Sequence, residues 1–118
     1  MKKFHIISFS SAALAAAMLM ASGPAAAIDE EAAMHLARAN NCFKCHSVMK
    51  TKEGPAWSEV AKKYHDKSNG QKRLVEHLTT GEKAKFPDGH QEDHKIIKTN
   101  PPNDAAQIKN LADWILAL

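Results

Sequence analysis

Cys42 and Cys45 are the only two cysteines of the 118-residue chain, and His46 follows the second directly. Thiols at this spacing can do four kinds of chemistry. A thioredoxin-like redox pair sits at a strand-to-helix junction, and no β-branched run precedes Cys42. A structural zinc site needs four ligands, usually two separated pairs, and there is no second cysteine pair here, although histidines can make up the number. A plain exported disulfide would close so short a loop that it stabilises little. The fourth reading uses all three residues. Cys-x-x-Cys-His is the attachment motif of c-type haem: the two thiols add to the haem vinyl groups, and the adjoining histidine is aimed at the iron.

Haem c is attached outside the cytoplasm, so the reading requires export. The first 27 residues meet that condition independently. Lys2 and Lys3 precede an apolar run from Phe4 to Met20, Ser22-Gly23-Pro24 breaks it, and Ala25-Ala26-Ala27 ends in small residues. Basic start, apolar stretch and small-residue end predict a signal peptide cleaved after Ala27. The alternative is an uncleaved anchor, for which the run is Ala-rich and short against about 20 strongly apolar residues. Cleavage leaves 91 residues, 28–118, and lowers the formal charge from +3 to +1. That length allows one domain, and that charge lacks the basic excess of a nucleic-acid binder. A chain this short buries little surface and usually needs a staple. Of its seven aromatics, Phe4 and Phe9 leave with the leader. A covalent haem would be both staple and core.

The elements that position the motif read as helices. Asp29 can cap a helix beginning at Glu30, with Ala33, Met34, Leu36 and Ala37 at helical spacing and Asn40-Asn41 ending it just before Cys42. Pro101-Pro102 forbid helix upstream of a final one, capped by Asn103 or Asp104, whose apolar stripe is Ile108, Leu111, Ala112, Ile115 and Leu116 with Trp114 beside it. Two shorter helices are predicted near Trp57–Tyr64 and Gln71–Leu78, the second stopped near Gly81. No alternating strand is convincing. The expected fold is all-α, about four helices wrapped around one haem, with long connections.

With these elements in place, residues 28–118 resemble the class I cytochromes c, especially the short bacterial monohaem type. The helix running into Cys42-Phe43-Lys44-Cys45-His46 is similar to that family's first helix. Gly54-Pro55-Ala56-Trp57 resembles its Gly-Pro-x-aromatic element, with nine residues from His46 to Pro55. Leu111-Ala112-Asp113-Trp114-Ile115-Leu116 is similar to its C-terminal helix, which crosses the first. The resemblance implies that the Pro55 carbonyl accepts a hydrogen bond from the proximal His46. It also implies that Trp57 and Tyr64 pack against the haem near a propionate, ordinary core aromatics being the alternative.

One part of the family pattern is missing. Class I members take their sixth iron ligand from a methionine before the last helix. The methionines here are Met1, Met18, Met20, Met34 and Met49, and none lies between Thr79 and Pro102. That loop offers His90, His94, Asn100 and lysines. Neutral imidazole is a good ligand for haem iron. His94 is 48 residues from His46 and precedes Ile96-Ile97, which give its segment a reason to pack inward; it is the first expectation. His90, after the turn signal Pro87-Asp88-Gly89, should face water. Asn100 stands where the family has Met-Pro-Pro-Asn. His35, His65 and His77 are expected at the surface.

These readings lead to a periplasmic electron carrier with no catalytic residues and no small-molecule substrate. It would be a monomer that meets other redox proteins through a transient interface at the haem edge. Lys44, Lys50, Lys52, Lys62 and Lys63 surround the haem-binding segment, as a solvated face or as a rim steering a partner. A non-methionine sixth ligand should lower the potential, since Met/His ligation raises it. The competing function is a haem protein that binds a diatomic gas at a sixth site left open or weakly held by Asn100 or a labile histidine.

Overall fold

The computed structural model describes residues 27–118; the predicted leader lies outside them except for Ala27. Four α-helices carry the fold: α1 Glu30–Ala39, α2 Trp57–Tyr64, α3 Gly70–Thr79 and α4 Ala105–Leu116, with a 3-10 turn at Cys42–Lys44. Their starts follow from local chemistry. The Asp29 carboxylate accepts a hydrogen bond from the Ala32 N–H at 2.9 Å, and Glu30 and Glu31 in the first turn suit the helix dipole. Asp104 does the same for α4, accepting from Gln107 N–H at 3.1 Å. The all-α expectation holds.

The first three helices all pack on α4. Ala33 and Ala37 of α1 are fully buried, as are Leu111 and Ala112 of α4, so small side chains let the two helices approach closely. Trp57 meets Trp114 edge-on with ring centroids 5.7 Å apart, which brings α2 onto α4.

One small departure from the expected elements is an antiparallel hairpin between α3 and α4. Its strands β1 Lys83–Lys85 and β2 Gln91–Asp93 pair Lys83 with Asp93, Ala84 with Glu92 and Lys85 with Gln91. Each strand has only three residues, mostly exposed, so no in-out alternation marks it. The only sequence trace is its turn, where Gly89 takes φ +92.

The segment after β2 is tied into the core at three points. His94 N–H donates to Glu82 O at 2.9 Å and Ile97 N–H to Leu78 O at 2.8 Å. The third tie is Asn40, the one buried polar residue among those described. Its Nδ2 donates to Leu36 O at 3.0 Å and Lys98 O at 2.9 Å, and its Oδ1 accepts from Lys98 N–H at 2.8 Å. Asn40→Ala leaves the Lys98 amide unpaired at the end of α1, and we expect it to cost about 1–3 kcal/mol, read as a lower midpoint in guanidinium unfolding. Ile97 is buried, as the inward-packing argument requires, but Ile96 is 53% exposed.

Candidate haem site

A cavity of about 500 Å³ opens where the 3-10 turn, α3 and the post-hairpin segment converge. Cys42, Cys45 and His46 line one side; His77 and His94 approach from the others, with Trp57 and the apolar Leu74, Ile97 and Ile115 between. Burial pushes the Cys42 thiol up. Cys45 is raised by burial and by Glu53, whose carboxylate accepts from Sγ at 3.3 Å. No disulfide joins the two cysteines.

His46 is held from behind. Its Nδ1–H donates to Pro55 O at 2.9 Å, which leaves Nε2 as the lone-pair nitrogen. A Cβ built on Gly54 would lie 2.4 Å from His46 Cε1, so only glycine leaves room for the ring. Trp57 stacks on the ring with centroids 5.6 Å apart. Burial lowers the pKa of His46. His94 is lowered to about 4, by burial first and then by the neighbouring His77 and His46. Both imidazoles are therefore neutral, the form that binds metal.

The two rings face one another with centroids 6.3 Å apart. Two imidazoles bonded to one metal on opposite sides, at about 2.0–2.1 Å each, put their centres roughly 6–6.5 Å apart. His94 Nδ1 is buried without a hydrogen-bond partner, so it is not the nitrogen open to the cavity. The donor set and the space fit an iron porphyrin attached through the two thiols.

The cytochrome c family matches this chain over residues 30–118. The chain belongs to that family. Cytochrome c-552 of Nitrosomonas europaea is 35% identical to it over 86 residues, covering 70% of this chain and 75% of that one. Cytochrome c-551 of Allochromatium vinosum is 36% identical over 86 residues, covering 70% and 82%. The crystal structure of the class 1 cytochrome MtoD from Sideroxydans lithotrophicus ES-1 matches with a TM-score of 0.72 at 55% identity, over 77% of this chain and 97% of that one. The cofactor is haem c, a covalently bound iron porphyrin, and Cys42, Cys45 and His46 fit the attachment motif.

In this cytochrome, Cys42, Cys45, His46, Pro55, Trp57 and His94 all line the cavity. Tyr64 does not: it packs at the edge of the core, with Lys63 and Lys67 Nζ each 5.2 Å from its ring centroid. Asn100 is exposed and outside the cavity. Thr99 Oγ1 donates to Pro101 O and accepts from Asp104 N–H, both at 2.8 Å, a turn that caps α4 and carries Asn100 outward. His90 is exposed on the hairpin, bonded to Asp88 and to Glu92 Oε1 at 3.2 Å and stacked on Phe86.

His77 corrects the sequence reading. Expected at the surface, it lines the cavity with its ring 4.0 Å from that of His94. Its partners Arg73 and Glu82 were not singled out either. Arg73 Nη2 and His77 Nδ1–H both donate to Glu82 Oε1, at 2.7 and 2.5 Å. The bond to Arg73, then that to His77, holds the Glu82 carboxyl below the usual range. A signal was present, since Arg73, Leu74, His77 and Leu78 share one face of α3 and all four line the cavity.

Proposed function

We propose that this cytochrome is a periplasmic monohaem electron carrier, not an enzyme, with haem attached through Cys42 and Cys45 and iron held between His46 and His94. The observation that carries the ligand assignment is the pair of neutral imidazoles facing across the cavity at 6.3 Å beside the two thiols. Bound haem supplies an iron centre that gains and loses one electron. The chain does the rest. Pro55 orients His46 and raises its basicity through Nδ1. Trp57, Leu74, Ile97 and Ile115 exclude water from the cavity wall. Tyr64, outside the cavity, serves the helix packing instead.

Export supports the periplasmic location: residues 1–27 read as a cleaved leader, and the relatives above are bacterial c-type cytochromes. The mature domain is then 28–118, acting as a monomer. Its partners are other redox proteins. Lys44, Lys50 and Lys63, exposed and in no ion pair among the described residues, offer a rim for a transient encounter.

A potentiometric titration tests the reading together with carbon monoxide. The expected result is a midpoint below that of His/Met cytochromes, and a reduced spectrum that CO leaves unchanged over minutes. A strongly positive midpoint would remove the bis-histidine assignment. Prompt CO binding would favour a gas-binding protein instead.

A further inference from the structure

The two imidazoles that face across the cavity are held by different means. His46 has the usual support of a metal-bound histidine, its second nitrogen bonded to a backbone carbonyl. His94 is held less firmly: its Nδ1 is buried with no partner in hydrogen-bond geometry, and the Lys95 backbone, near enough to raise its pKa, is its only backbone neighbour of that kind. What it has is His77, whose ring lies against its own at 4.0 Å with an interplanar angle of 41°. His77 cannot swing freely, since Nδ1–H is bonded to Glu82 Oε1, and Arg73 anchors the same oxygen. Glu82 also reaches His94 directly, its backbone carbonyl accepting the His94 N–H at 2.9 Å. One residue thus fixes the backbone of His94 and, through His77, the face of its ring.

We propose that His77 is the positioning residue of the distal side, a clamp that replaces the missing hydrogen bond to His94 and keeps that imidazole on the iron, with Glu82 and Arg73 as its anchor. This rests on the assignment of His94 as the sixth ligand and adds what holds it there. The ring face is the working part: an aromatic surface at van der Waals distance blocks rotation of His94 away from the cavity. The anchor sets where that surface stands. Both anchor bonds end on a partly buried carboxylate and are charge-assisted, the stronger class of hydrogen bond.

The test compares haem-loaded wild type with His94→Ala, His77→Ala, His77→Phe and Glu82→Gln, reading CO association with the ferrous protein and the ferric EPR spectrum. The ligand assignment is read first. Loss of the bis-imidazole low-spin signal in His94→Ala upholds it, and retention of that signal overturns it and the clamp with it. With the assignment upheld, His77→Ala should speed CO association roughly 10–100-fold, as losing a ligand's outer support does, and broaden the low-spin EPR lines. His77→Phe keeps an aromatic face and should stay within about threefold of wild type, whereas a purely structural loss of the Glu82 bond would affect both variants alike. Glu82→Gln should move in the direction of His77→Ala, by less, and stands in for it if His77→Ala does not load haem. Wild-type CO kinetics and EPR in His77→Ala, or in Glu82→Gln where His77→Ala cannot be made, would overturn the clamp alone.

Discussion

Haem-free, largely unfolded protein is the expected product when Cys42 and Cys45 are both replaced by alanine. Two effects combine. The thioether bonds are lost, so haem can be held only by axial ligation, and His46 no longer has a tethered partner. The domain is also built around the space haem fills. Beyond Trp57 and Trp114, the core of the described residues is mostly Ala, Leu and Ile. An unfilled cavity of about 500 Å³ would cost up to about 12 kcal/mol at about 24 cal/mol per Å³. Water entry and partial collapse make that an upper bound, but it matches the whole net stability of a typical domain, about 5–15 kcal/mol. Far-UV circular dichroism and haem staining after denaturing electrophoresis check this. The double variant should show little helix and no covalent haem. Native helix content without haem would mean that the four helices support themselves.

The second large effect is expected at His94. His94→Ala removes an imidazole and leaves nothing nearby in its place: Asn100 lies outside the cavity, His90 is committed to Asp88 and Glu92, and His77 is held by Glu82. The ferrous variant should bind CO promptly, with a rate above wild type by more than roughly 100-fold, the upper end of what losing a mere outer-shell partner does. Stopped-flow mixing with CO reads it. The fold should survive, because the segment is still tied by Ile97 to Leu78 and by Lys98 to Asn40. CO binding no faster than wild type would mean that another side chain holds the sixth position.

How much of this was legible in the sequence depends on how local the cause is. Asp29 and Asp104 cap their helices through their own side chains, three residues from the N–H they accept, and both were readable. The α2 boundaries, Trp57 and Tyr64, also agree with the sequence reading. The attachment triplet and the His46-to-Pro55 spacing are local too. The distal side is not. Its register is set by bonds such as Ile97 N–H to Leu78 O and Asn40 to Lys98, which no short window contains. That is why Ile96 turns outward beside a buried Ile97, and why a plausible alignment put Asn100 at the methionine position. His77 was missed for the same reason. On α3 it looks like a polar residue near Glu76, and it becomes a cavity residue only once the post-hairpin segment folds back and lays His94 against it.

A crystal structure of the haem-loaded protein would show whether His46 and His94 share one iron. Continuous density is expected from the iron to the His94 imidazole on the face opposite His46, with the His77 ring stacked behind it. A water, a lysine, Asn100 or an empty position on that face would contradict the shared ligation.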